Sequence, residues 1–225
     1  MEAMSVRKVA FPRYAEYNCA FRYIFEEAMD VRCIQPPAIT RRTMELGAKH
    51  SPEFVCTPFK ITLGRMREST SAAASMIEAL EAGADTLLMV HGLCRLGYYG
   101  ELQEQILHDL GYRFDFINLS EYDMGKKKEY IKIVKRINPK VHLAKFAAKF
   151  MEGIRMVEYL DEVTAEYYRS CGFDATGGQY KAAYRRFLTA LYTARTRADI
   201  EDAYRAVRQS FQTIPINKPL RPLRV

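Results

Sequence analysis

Through the first 138 residues, short apolar runs alternate with stretches that carry apolar side chains at helical spacing. Two strands separated by a helix cannot meet through a tight hairpin. The helix has to cross over, and strands joined that way run parallel. The alternation therefore predicts an α/β fold: a Rossmann-like parallel sheet with helices on both faces. The clearest unit is DTLLMVHGLCRLGYYGELQEQILHDLG, Asp85 to Gly111. Asp85 to Val90 reads as a buried strand, and His91 to Gly97 as a glycine-bounded loop. Tyr99, Leu102, Ile106 and Leu110 recur at helical spacing, with Gly111 placed to close the helix. In an open α/β sheet such a loop lies beyond the carboxyl ends of the strands, where ligands bind.

The neighbouring segments follow the same rhythm. Lys8 to Phe11 is a predicted strand, stopped by Pro12. Ala15 to Met29 is a predicted helix with a stripe of Tyr17, Ala20, Phe21, Ile24, Phe25 and Ala28. Val31 to Ile34 reads as a strand, Thr40 to about Lys49 as a short helix, and Glu53 to Lys60 as an apolar segment holding Cys56. A helix ending near Ala82 at Gly83, a strand at Phe114 to Leu119 and a basic helix from Lys126 to Arg136 complete the domain, residues 1–138.

After Pro139 the strands stop. Val141 to Ser170 is a predicted helix with Phe146, Phe150, Ile154, Val157 and Leu160 on one stripe. Gly177-Gly178 mark a turn, and two more helices run from Gln179 to Ala194 and from Thr196 to Gln212. Thr196 and Asp199 have the spacing of a capping pair. Residues 139–213 thus form a helical subdomain. Residues 214–225 read as a proline-rich linker, with Leu223-Arg224-Val225 as the start of a strand belonging to a missing or separate second half.

With 225 residues and 48% hydrophobic content the chain can bury a substantial core. It has no apolar run of membrane-spanning length, and MEAMSVRKVAF lacks a secretory signal, so the expected location is cytoplasmic. Five scattered cysteines, Cys19, Cys33, Cys56, Cys94 and Cys171, fit thiols or metal ligands better than disulfides. The net charge of +7 is concentrated after Pro139, with 15 Lys and Arg against 9 Asp and Glu. Such a surface suits solvent or an acidic partner. No nucleic-acid-binding signature accompanies it.

Gly92 and Gly97 have the separation of a Walker A loop, but Tyr98-Tyr99 stand where that loop needs Lys and Ser or Thr. No dinucleotide fingerprint occurs. The loop is either a tight turn or a phosphate seat on the following helix N-terminus. Cys56 and Cys94 each lie beside a turn after a strand-like segment, so both thiols can reach one rim. There they suit a soft metal or an iron–sulfur cluster. Three readings remain open on the residues alone: buried packing thiols, a zinc site of His91, Cys94 and Cys56, and a His91–Cys94 nucleophilic couple.

Taken in order, SPEFVCTPFKITLG (Ser51 to Gly64), EALEAGADTLLMV (Glu78 to Val90) and GLCRLGYYGELQEQILHDLGY (Gly92 to Tyr112) resemble the 2-hydroxyacyl-CoA dehydratase-related family, including the dehydratase-like components associated with CoA-substrate-specific enzyme activases. FPRYAEYNCAFRYIFEE and PPAITRRTMELG look similar too. The resemblance covers residues 8 to 138 well and the remainder loosely. It implies a lyase system of anaerobic metabolism. In it an ATP-dependent activase delivers one electron through an iron–sulfur cluster, of 4Fe–4S type, to a 2-hydroxyacyl-CoA, whose ketyl radical expels hydroxide. It also implies Cys56 and Cys94 as cluster ligands, with Arg95 balancing the cluster charge and His91, Gly92 and Gly97 shaping the loop. The implied partners are the activase or a second dehydratase-like subunit, an acyl-CoA, and a further copy of the chain. No nucleic acid or membrane is expected. The loop HGLCRLGYY is one cysteine poorer than the GxCGPCRFGYY form common in the family, so the cluster is expected to be shared with another chain or domain. The competing expectation is a structural domain of the same fold without a cluster.

Overall fold

The structure, a computed structural model, describes residues 6–12, 15–34, 49–50, 76–90, 99–119 and 127–218. The chain divides into two units. The first comprises Met1–Asn18 and Phe25–Phe146, the second Cys19–Ile24 and Ala147–Val225.

The first unit holds a four-stranded sheet of β1 (Lys8–Ala10), β2 (Arg32–Cys33), β3 (Thr86–Val90) and β4 (Asp115–Leu119). The strand order is β2-β1-β3-β4 and every pairing is parallel. The fold is therefore α/β, with a parallel sheet joined by helical crossovers. Leu87, Leu88 and Met89 are consecutive and all buried. Successive strand residues point to opposite faces, so both faces of β3 are covered. On one face Ala10, Leu87, Met89 and Phe116 pack with Met76, Ile77 and Ala79 of α2 (Met76–Glu81) and Leu107 of α3 (Tyr99–Asp109). Gly83 and Gly111 follow these helices with φ of 92° and 87°. That left-handed region is open to glycine at little cost and stops each helix before the next strand. The expected helix at Thr40 to Lys49 lies outside the described residues except at its end, and the segment at Glu53 to Lys60 lies wholly outside them.

Two predicted stripes in this unit are corrected. The stretch from Ala15 is not one regular helix. It is a 3₁₀ turn (Ala15–Tyr17), α1 (Asn18–Tyr23) and a π turn (Ile24–Ala28). Tyr17 is exposed, whereas Arg22 and Tyr23 are buried. The π turn changes the helical phase, and the segment serves two units, so a single 3.6-residue stripe cannot describe it. In α3 the inward residues are Gly100, Gln103 and Leu107, while Leu102 and Leu110 are exposed. The close approach at Gly100 described below sets that rotation.

At the amino edge of the sheet Arg7 Nη1 donates to Asp115 Oδ2 at 2.6 Å and to Thr86 Oγ1 at 3.2 Å. Arg136, in the last turn of α4 (Lys127–Ile137), pairs with Asp115 as well and donates to the Phe116 carbonyl. Asp115, at the start of β4, thus ties the residue before β1 and the last turn of α4 together. No α-helix among the described residues is long and apolar enough to cross a membrane.

The second unit packs α1 residues Cys19, Ala20 and Tyr23 with α5 (Leu143–Ser170), α6 (Gln179–Thr193) and α7 (Arg197–Thr213). The Thr196 side chain accepts from Asp199 N, and Asp199 accepts from Thr196 N at 2.9 Å: a complete capping box with aspartate in the usual glutamate place. The stripe expected on α5 is also corrected. Gly153, Met156, Leu160 and Val163 face inward and Ile154 is exposed. A Cβ on Gly153 would stand 2.5 Å from Ile24 Cγ1, so glycine lets the start of the π turn come this close. The Tyr23 hydroxyl pairs with Glu152, and Lys149 Nζ donates to both, at 2.8 Å to Tyr23 and 2.9 Å to Glu152. Beyond α7, Ala175 N donates to Pro215 O and Asn217 N to Phe173 O, so residues 215–217 are tied back onto the turn after α5.

Burial raises the Asp115 pKa, but hydrogen bonds and charge from Arg7 and Arg136 outweigh it and hold the carboxyl below the usual range. A depressed native pKa contributes stability that is whole above the unfolded carboxylate value, near 4, and is lost as pH falls through the native one. Asp115→Asn is therefore expected to unfold more easily than wild type at pH 7. The difference should close in urea titrations as pH drops below 4.

Candidate functional site

The order β2-β1-β3-β4 means that the chain moves from β1 to one side, then returns past it to the other. The reversal falls between β1 and β3. Loops leaving the carboxyl ends of two such strands diverge and open a crevice, the usual ligand position in open parallel sheets. At this point β1 ends in Ala10, followed by buried Phe11 and Pro12. β3 ends at Val90, in register with Leu119 of β4.

Eight residues, His91 to Tyr98, connect Val90 to Tyr99. His91, Gly92, Cys94, Arg95 and Gly97 therefore follow directly from the carboxyl end of the reversal strand. They lie outside the described residues, as does Cys56, so their mutual distances are not part of the geometry. What the structure does define is where the loop lands. Gly100, in the first turn of α3, sits against Asn118 of β4; a Cβ there would lie 2.6 to 2.9 Å from three Asn118 side-chain atoms. Asn118 Nδ2 donates to Glu101 Oε1 at 3.1 Å. The helix that receives the loop is thus pressed onto β4 by a glycine and held there by an amide–carboxylate bond. Glu101 also places a carboxylate beside the positive end of α3. A phosphate seated there would share that end with a negative charge.

These three residues escaped the sequence reading. The available signal was a glycine in the second position of a helix, which costs stability unless a close approach requires it.

The remaining cysteines are placed. Cys19 is sealed in the helical core of the second unit, and Cys33 is buried at the carboxyl end of β2. Cys171 is half-buried after α5, where burial and then the neighbouring thiol raise the Tyr167 pKa. Among the described residues no three His, Cys, Asp or Glu side chains converge as metal ligands. Comparison with protein families, with curated proteins and with solved structures gives no match.

The packing at Gly100 makes a specific prediction. Gly100→Ala is expected to cost about 1–3 kcal/mol through overpacking. Asn118→Ala in the same chain should recover part of that loss. Denaturant unfolding of the two single variants and the double variant checks this, and strictly additive effects would contradict the contact.

Proposed function

We propose that this chain is an iron–sulfur-binding domain of a 2-hydroxyacyl-CoA dehydratase-like system, with a Rossmann-like first unit. The observation that carries the reading is positional. The segment that holds His91, Cys94 and Arg95 follows in sequence from the carboxyl end of the strand at which the sheet order reverses. An all-parallel 2-1-3-4 order is what part of a doubly wound sheet presents, which supports the Rossmann-like reading. The motif order around Cys56 and Cys94 supports the family.

On this reading Cys56 and Cys94 supply thiolates, Arg95 offsets the negative charge of the bound group, and the glycines shape the loop. Two thiols leave a four-iron cluster short of ligands, so a second chain or domain completes the set. Buried Cys19 and Cys33 are packing thiols. When bound, such a cluster supplies one electron and a Lewis-acidic iron for an acyl-CoA thioester.

The test is iron and acid-labile sulfide content, with EPR, on full-length protein purified and reconstituted without oxygen. Wild type should hold iron and sulfide together. Cys94→Ser and Cys56→Ser should each lose most of it, while Cys19→Ser, Cys33→Ser and Cys171→Ser keep it. Loss in Cys171→Ser as complete as in Cys94→Ser would overturn the ligand assignment. Protein that binds zinc instead would move the function to a zinc or thiol site of His91, Cys94 and Cys56.

A further inference from the structure

Within the second unit, α6 and α7 leave a surface groove between them. Two adjoining depressions of about 180 Å³ and 240 Å³ share Arg186 and Ser210 as lining residues. The first has a floor of small apolar side chains, including Ala190, Ala203, Ala206 and Val207. Arg186 is exposed and has no ion-pair partner among the described residues. Alanines at the bottom of a groove let another helix approach closely, and a lone guanidinium in such a groove calls for a carboxylate.

The same chain carries the matching ridge. On α5, Ala147, Met151, Ile154 and Glu158 follow at intervals of four, three and four residues and are all exposed. They lie opposite the buried face of Gly153, Met156 and Leu160. Met151 is 64% exposed and Ile154 38%, so the ridge presents two neighbouring apolar side chains to solvent. Glu158 likewise has no ion-pair partner among the described residues.

We propose that the α5 ridge of one copy docks in the α6–α7 groove of another. The spacing supports this pairing. Ile154 and Glu158 stand four residues apart, about 6 Å along the helix, and so do Ala190 and Arg186. With α5 of one copy antiparallel to α6 of the other, Ile154 covers Ala190 while Glu158 meets Arg186. Met151 then extends the apolar contact toward the α6 C-terminus. Ridge and groove are different surfaces, so the contact is heterologous and adds copies head to tail, either closing a ring or growing with concentration. The inference uses no residue of the proposed cluster site.

Sedimentation velocity of the full chain across a wide concentration range tests it. Wild type should self-associate. Arg186→Glu and Glu158→Arg should each weaken association about tenfold or more, because like charges then face each other. The double charge swap should restore it. Met151→Ser, a change on an exposed position, should weaken association with unchanged circular dichroism. Monomeric wild type, single variants that associate as wild type does, or a folded double variant that fails to recover would each overturn the proposal.

Discussion

The first unit depends on β3. It is the only described strand hydrogen-bonded over five residues to one neighbour while pairing with another on its opposite side. Its three central residues are buried on both faces. Burying each leucine is worth about 1.5–3 kcal/mol, and neither can be relieved by a shift of one residue, since that exchanges their faces without exposing either. What the shift would break is the polar anchoring at the amino edge. Lys8 N donates to both Asp85 oxygens at 3.1 Å, Thr86 Oγ1 donates to Asp85, and Arg7 and Arg136 converge on Asp115. A strand buried on both faces has little polarity of its own to set its register, and charged residues just outside the apolar run supply it.

That division of labour separates the two edges of the sheet. The amino edge is organised by ion pairs, Arg7 and Arg136 on Asp115. The carboxyl edge is organised by shape instead: Gly100 against Asn118, with Glu101 held in place. The loop with Cys94 therefore runs between two fixed points, Val90 and α3.

The second unit solves a different problem. Its helices carry many tyrosines, and their hydroxyls need partners when the rings pack. Tyr159 and Tyr204 stack with centroids 3.9 Å apart, and each hydroxyl reaches a carboxylate on the other's helix, Glu201 and Glu162. Tyr167 stacks on Tyr184, whose hydroxyl meets Thr164. Burial and then the paired carboxylate raise the pKa of both Tyr159 and Tyr204, which keeps them neutral donors. Tyr180 likewise stacks on Phe211 and donates to its carbonyl at 3.2 Å, whereas Tyr168 on α5 is exposed.

The amino-acid sequence by itself determined the element types: four parallel strands at or within a residue or two of the predicted runs, the glycine stops at Gly83 and Gly111, and the Thr196–Asp199 cap. These are local properties of the backbone, set by periodicity, φ preference and side-chain reach. Only the tertiary structure decided which face of each helix turned inward. Leu102, Leu110 and Ile154 look like core residues by spacing, yet glycines at 100 and 153 win the inward position, because a helix can approach a neighbour most closely where it has no side chain. Periodicity measures how apolar residues are distributed, not how near another element comes. The landing site at Gly100, Glu101 and Asn118, and the phase change in the π turn at Ile24–Ala28, depend on that nearness and were therefore hidden from a reading of the residues alone.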